Sequence, residues 1–383
     1  MSAFEKNKFK SYSICDCHCH HIFKEEIDCT VENFKNIMEY YKYKSIILHS
    51  LLQYEDSSDI ANNLKGLYCK SLLNKEVNHR VYTYGSIYHF YDERDTAQGY
   101  LAQVKQFLAM GADGYKSLDG KPYMRKRLNK QLDDEIFDLM YAYLEENGIP
   151  VTMHLGDPPS FWDKTKVSKY AIERGWFCDE SYPSLEQLRS EVVGVLNKFP
   201  KLKLCLAHLN FFGDELEHAA DFLEQWQNVS FDLTPGGIMF VGFTKRHKDW
   251  KMFFEKYSDR LYYGTDTYSA KRDNVTNGYD EVPCVGVRIK QLRKMLEHTK
   301  EFQDVTFGNL RPLGLSDNIL ENIYYKNMER LLPVPREINC GICAQHTADI
   351  IFARKEGLFL TSDKDIDRLE SENLIKMYKY FSD

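Results

Sequence analysis

The chain has 383 residues, 43% of them hydrophobic, which is enough for a large core and suits one α/β barrel with extensions. Its net charge of −7 argues against a general binder of nucleic acid or anionic membrane, so the expected partner is a small molecule. No run of 18 apolar residues occurs, and residues 1–12 lack an apolar leader core; neither a membrane span nor a secretory signal is expected.

The ten cysteines sit singly or inside apolar runs, which fits reduced thiols in a cytoplasmic protein. The 26 tyrosines and 23 phenylalanines are scattered, as packing residues are.

Taken in order, short apolar or β-branched runs at 13–20, 44–49, 80–87, 111–118, 149–155, 202–209, 229–233 and 260–265 read as strands. Amphipathic stretches at 30–41, 95–110, 133–147, 184–198, 213–227 and 249–256 read as helices between them. Strand and helix in alternation imply parallel pairing through right-handed crossovers, and eight units imply closure as a (β/α)8 TIM barrel. Two local signals support the boundaries. Asn147-Gly148 closes a helix with residues that tolerate left-handed backbone, and Ser184 with Glu186 and Gln187 starts one.

The first run, Ser13-Ile14-Cys15-Asp16-Cys17-His18-Cys19-His20, carries chemistry. Simple alternation places Asp16, His18 and His20 on one face and Cys15, Cys17 and Cys19 on the other, buried against helices. Same-face neighbours lie about 6.5 to 7 Å apart at Cα, so two imidazoles can converge on one ion. Barrel enzymes keep their active sites at the C-terminal ends of the strands. There the chain offers His18 and His20 from strand one, Lys116 from strand four, His154 from strand five, His208 from strand six and Asp266 from strand eight. Each group alone is a weak signal, and a buried histidine at a strand end is common. Six at one end of successive strands is a strong one.

The residues Asp16-Cys17-His18-Cys19-His20, His154 in Val-Thr-Met-His-Leu-Gly-Asp, His208 in Leu-Ala-His-Leu and Asp266 in Tyr-Gly-Thr-Asp resemble the amidohydrolase superfamily. More narrowly they are similar to its amidohydrolase-related group of metal-dependent hydrolases, lactonases and decarboxylases. The likeness covers roughly residues 12–333, its last part being a closing helix at 320–332. It implies that His18, His20, His154 and Asp266 hold one divalent ion, expected to be zinc, beside an open position for water. Asp266 then also acts as the base, and His208 hydrogen-bonds the substrate carbonyl or stabilises charge developing on it. Lys116 has three readings: a cation for a substrate carboxylate, which we favour, a carboxylated bridge between two ions, or a structural lysine paired to an acid such as Asp119.

Further contacts are expected from the loops. The run 121–127 holds four cations, of which Arg125 is the candidate for an anionic substrate. The long segment 156–183 offers Asp157, Trp162 and Asp163 as binding residues on a lid or wall. Thr234-Pro235-Gly236-Gly237 allows a close backbone approach or a tight turn. An extended connection, 267–318, contains a helix at 287–302 that walls the mouth or forms a subunit contact in a homo-oligomer.

Residues 1–333 are thus read as the barrel, and 334–383 as a helical C-terminal extension. The lone Cys340-Gly341-Ile342-Cys343 is read as two buried thiols near a helix start, not as a zinc site. The expected activity is hydrolysis of a small, anionic amide, lactone or ester. Its rivals are a metal-dependent decarboxylase and, further off, an inactive barrel that binds.

Overall fold

The computed structural model describes residues 10–21, 25–52, 60–76, 80–236, 239–268, 285–304 and 307–383. Residues 1–9, the centre of the connection at 269–284 and Gly237 lie outside the described residues. Strands β1 (Ile14–His20), β2 (Tyr43–His49), β3 (Arg80–Gly85), β4 (Gly114–Gly120), β5 (Val151–Leu155), β6 (Leu204–Leu206), β7 (Val229–Asp232) and β8 (Leu261–Tyr262) are parallel and pair in sequence order. A short β9 (Thr267–Tyr268) pairs with β1.

β8 and β9 are two parts of one strand position. Between them the Cys17 amide donates to Tyr263 O at 2.9 Å, and the Asp266 amide to His18 O at 2.8 Å. Residues 261–268 therefore meet β7 on one side and β1 on the other, and the barrel closes as eight βα units require.

The helices between strands are α1 (Ile27–Tyr41), α2 (Asn62–Lys75), α3 (Ala97–Met110), α4 (Pro122–Leu128), α5 (Asp138–Glu146), α6 (Lys169–Glu173), α7 (Leu185–Lys198), α8 (Leu216–Gln225), α9 (Met239–Lys245) and α10 (His247–Lys256). They bury Phe34, Leu64, Val104, Met140, Leu188, Leu223, Trp250 and Phe254 in one core with Ile46, Val81, Tyr115, Met153 and Phe231 of the strands. Ser184 caps α7 by accepting from the Gln187 amide, and Gly148, at φ +60°, follows α5; both agree with the sequence signals.

Three local expectations need correction. The helix expected at 133–147 is broken: Asp134 accepts from the Ile136 amide and starts a tight turn, Glu135–Phe137, before α5. The cationic run 121–127 is not a loop but α4, which Pro122 opens. Strand one does not keep its alternation. Asp16 pairs with Ile46 and Cys19 with Leu48, three steps against two, so β1 bulges by one residue. Cys15 and Cys17 consequently pack with Ile47, Tyr82, Tyr84 and Leu332, apart from the main core that takes Cys19.

Beyond β9, α11 (Val285–Glu297) and the hairpin β10 (Phe302–Asp304)/β11 (Gly308–Leu310) lead to α12 (Asp317–Glu321), a widened turn at Asn322–Lys326 and α13 (Asn327–Leu331). The wide turn leaves Ile323 O to accept from the Tyr263 amide at 3.0 Å, which fixes the interrupted eighth strand from below.

The last helices, α14 (Cys340–Lys355) and α15 (Lys364–Ser382), pack on the barrel's first helices. Asn373 accepts from the Ile27 amide and donates to Glu25 O, and Lys65 of α2 meets Glu370 of α15 at 2.5 Å with both side chains buried. Of the two thiols expected to be buried at the start of α14, only Cys343 is; Cys340, the first residue of the helix, is exposed. No helix among the described residues is long and apolar enough to cross a membrane.

Removing one partner of a buried ion pair leaves the other charge less compensated. Glu370→Ala is therefore expected to cost about 3 to 5 kcal/mol, read as a lower urea midpoint, with Lys65→Met, Glu370→Met recovering much of the loss.

Candidate metal centre

The bulge of β1 aims His18 and His20 into the top of the barrel together. His18 Nδ1 donates to Asp232 Oδ2 at 2.8 Å, and His20 Nδ1 to His49 O at 3.2 Å. Both partners are acceptors, so both Nδ1 atoms carry the proton and both Nε2 atoms carry lone pairs. These bare nitrogens face each other at 3.0 Å. Two lone pairs that close repel unless a cation lies between them. An ion at about 2.0 to 2.1 Å from each nitrogen would meet the two at roughly 90°.

Other groups converge on the same place. Asp266 Oδ1 lies 3.3 Å from His20 Nε2 and 4.0 Å from His18 Nε2. Lys116, fully buried, points its Nζ at His18 Nε2 from 3.3 Å. His49, at the end of β2, brings its ring nitrogens into a group with His18 and His20 whose ligand atoms lie within 4.8 Å of one another. Among the described residues neither His49 ring nitrogen has a hydrogen-bond partner, although the residue is buried. Such orphaned imidazole nitrogens fit a site built for a divalent ion.

His154 and His208 adjoin this group. Their rings are 4.9 Å apart, and the His208 ring is 5.5 Å from that of His18. His154 Nε2 is 3.5 Å from Asp157 Oδ1, and Lys121 holds the same carboxylate oxygen at 3.0 Å.

Burial sets the charge states. It pushes the imidazoles of His18 and His49 well down, helped by the Lys116 ammonium, and that of His208 to about 3 with help from His154. His154 is also lowered, by burial and then Lys121. These rings are neutral at pH 7, the form that binds metal. Burial alone raises Asp266, but the Arg288 guanidinium opposes it, and the carboxyl lies well below its usual range. Lys116 is pushed down to about 8 by burial, against the pull of Asp232 and Asp266. Beneath His18, Asp16 accepts from the His18 and Thr265 amides, and burial raises it to about 7.

The backbone at the strand ends is unusual. Asp266 adopts φ +54°, and His208, Leu209, Asn210 and Phe211 make one left-handed turn with φ between 48° and 59°. Left-handed backbone costs a non-glycine residue about 1 to 2 kcal/mol, so four in a row persist only because the surrounding structure holds them. Gly236 makes room for it, since a Cβ there would lie 2.8 Å from His208 Cβ. Both ends of the buried Asn210 amide lack a hydrogen-bond partner among the described residues.

Matched against known families, residues 109–334 fit the model described as Amidohydrolase, more than half of the chain. The chain belongs to the amidohydrolase family. No curated protein sequence matches it. Among solved structures, an uncharacterised TIM-barrel protein of Bordetella bronchiseptica aligns with a TM-score of 0.51 at 15% identity, over 84% of this chain and 99% of that one. A 2,6-dihydroxybenzoate decarboxylase from Rhizobium gives 0.49 at 10%, over 84% and 98%. An amidohydrolase from Mycoplasma synoviae gives 0.47 at 13%, over 96% and 94%. The first of these supports the barrel fold and nothing finer.

In this family member the expected site residues divide. His18, His20, Asp266 and Lys116 come together, and His154, His208 and Asp157 line up beside them. Arg125 does not serve as the expected substrate cation: it is buried, and its Nε and Nη2 donate to both oxygens of Glu191, which also caps the Leu132 amide. Trp162 donates its Nε1 to Pro183 O, while Asp163 pairs with Lys166 and bonds Thr165. Both tie the 156–183 segment together. His49, Asp232 and Arg288, which contact or adjoin this group, are candidate site residues that sequence reasoning passed over. His49 ends strand two and answers the rule that selected the others.

Two outcomes check this geometry. Asp232→Ala removes the acceptor that orients His18 and is expected to weaken divalent-ion binding by about 10- to 100-fold, measured by titrating chelator-treated protein. On the His208 ring the unfolded chain holds more protons than the folded one between about pH 3 and 6.5. Stability of the metal-free protein should thus be full above pH 6.5 and fall as the pH drops to 5, a decline seen in urea midpoints and smaller in His208→Gln.

Proposed function

We propose that this amidohydrolase family member is a metal-dependent hydrolase of a small, anionic amide, lactone or ester. The observation that carries the reading is the pair of bare Nε2 atoms of His18 and His20, 3.0 Å apart with Asp266 Oδ1 alongside. Three such ligands match a catalytic site, which keeps a coordination position open. His154 is proposed for the next place, as the resemblance implies, with His49 as its rival because it is grouped with the pair. Zinc is the proposed ion, since the donor set is imidazole and carboxylate. When bound, it supplies Lewis acidity to a carbonyl and lowers the pKa of water to about 7.

The chain's own groups have separate tasks. Asp266, ionised, would take up the proton of the attacking water. His208, neutral and with no Nδ1 partner among the described residues, would donate a hydrogen bond to the substrate's carbonyl oxygen. Lys116 supplies a buried positive charge for the substrate's anionic group, and Asp157, steadied by Lys121, orients His154.

One observation favours a second reading. Lys116 Nζ lies 3.3 Å from a nitrogen of the pair, so a substrate carboxylate drawn to it would sit at the ion itself. That placement suits nonoxidative decarboxylation. Incubating the zinc-loaded protein with panels of lactones, amides and aromatic carboxylates separates the two: carbon dioxide release overturns the hydrolase reading, and a ring-opened or cleaved product supports it.

Asp266→Asn is expected to lower turnover by about 10²-fold or more. Metal content of His154→Ala and His49→Ala, by elemental mass spectrometry, decides the remaining ligand: the true one empties the site when replaced. A wild-type content of about two ions per chain would instead support carboxylated Lys116 as a bridge.

A further inference from the structure

Arg288 belongs to no strand. It lies on α11, which Ile289, Leu292, Met295 and Leu296 bury against the barrel. The helix is fixed further by Leu313 and Leu315 amides donating to Met295 O and Leu296 O, and by Arg293 Nη2 donating to Lys10 O. From this platform one nitrogen, Arg288 Nη1, reaches three oxygens of a single turn. They are Asp266 Oδ2 at 2.6 Å, Asp266 O at 2.8 Å and Thr265 O at 3.4 Å.

That turn needs holding. Asp266 has φ +54°, a conformation that disfavours any side chain, and its amide is already tied to His18 O. With Oδ2 taken by the arginine, the oxygen facing the imidazole pair is Oδ1. An aspartate held in this way offers an ion one oxygen, in one direction. An ordinary surface ion pair would engage the carboxylate alone and leave the main chain free.

We propose that Arg288 is a positioning residue of the metal centre, which clamps the Thr265–Asp266 turn so that Asp266 presents Oδ1 alone to the ion. This rests on the metal site proposed above. The clamp comes from outside the barrel strands, so the connection after strand eight sets the geometry of a strand-end ligand.

The test uses the full chain, stripped of metal and titrated with cobalt(II), whose visible absorption reports coordination number. Wild type, Arg288→Ala, Arg288→Met, Asp266→Ala and the double variant Arg288→Ala, Asp266→Ala are compared. Arg288→Ala is expected to bind cobalt about tenfold more weakly with a changed spectrum, and millimolar guanidinium is expected to restore part of both. In the Asp266→Ala background the arginine substitution should add no further loss. Wild-type affinity and spectrum in Arg288→Ala, or an equal loss without Asp266, would overturn the clamp. If Arg288→Ala does not fold, Arg288→Met decides: it keeps an apolar stem but offers the turn no donor, and an unaltered spectrum sinks the proposal. A wild-type protein that takes up no cobalt overturns the metal site, and the clamp with it.

Discussion

The site depends on what one buried carboxylate, Asp232, is bonded to. A fully buried Asp232 side chain must find donors, because an unpaired charge there costs several kcal/mol. Oδ2 takes the proton-bearing Nδ1 of His18, and Oδ1 takes the main-chain amides of His208 and Thr234. One side chain thereby joins strands one, six and seven. It fixes the tautomer of His18 and anchors the left-handed turn that carries His208.

The charges around it are arranged in opposition. Lys116 is a buried cation facing Asp232 and Asp266, and Arg288 balances Asp266 from the rim. The imidazoles between these charges stay neutral because burial and Lys116 both disfavour a further proton. The result is a polar cluster with few protons of its own at neutral pH and several nitrogen lone pairs pointing inward. Such a cluster is poorly satisfied by itself, and it is well suited to a divalent ion.

Much of the fold was legible because the βα period is long and repeated. Eight runs and the intervening amphipathic stretches give parallel order and closure without knowledge of any side-chain contact. The strand-end rule then located His18, His20, Lys116 and Asp266, which the structure brings together. It also applied to His49, the last residue of β2, and to Asp232, the last of β7, where neither was selected. Composition misled at Arg125: four cations in seven residues look like an electrostatic funnel, and nothing in that run reveals that Glu191, on α7, neutralises one of them. Arg288 was hidden for a different reason. Its partner lies 22 residues away, across a connection whose path no local pattern encodes.

The bulge in β1 ties the reactive face of the barrel to its apolar filling. Below the extra residue the inward side chains are Cys15 and Cys17; above it they are His18 and His20. Parity along a strand is all or nothing, so shortening this stretch by a single residue would leave the sulfur side chains in place and rotate both imidazoles into the helix layer. The one-residue insertion is thus what lets a single strand line the barrel with sulfur below and present imidazole above.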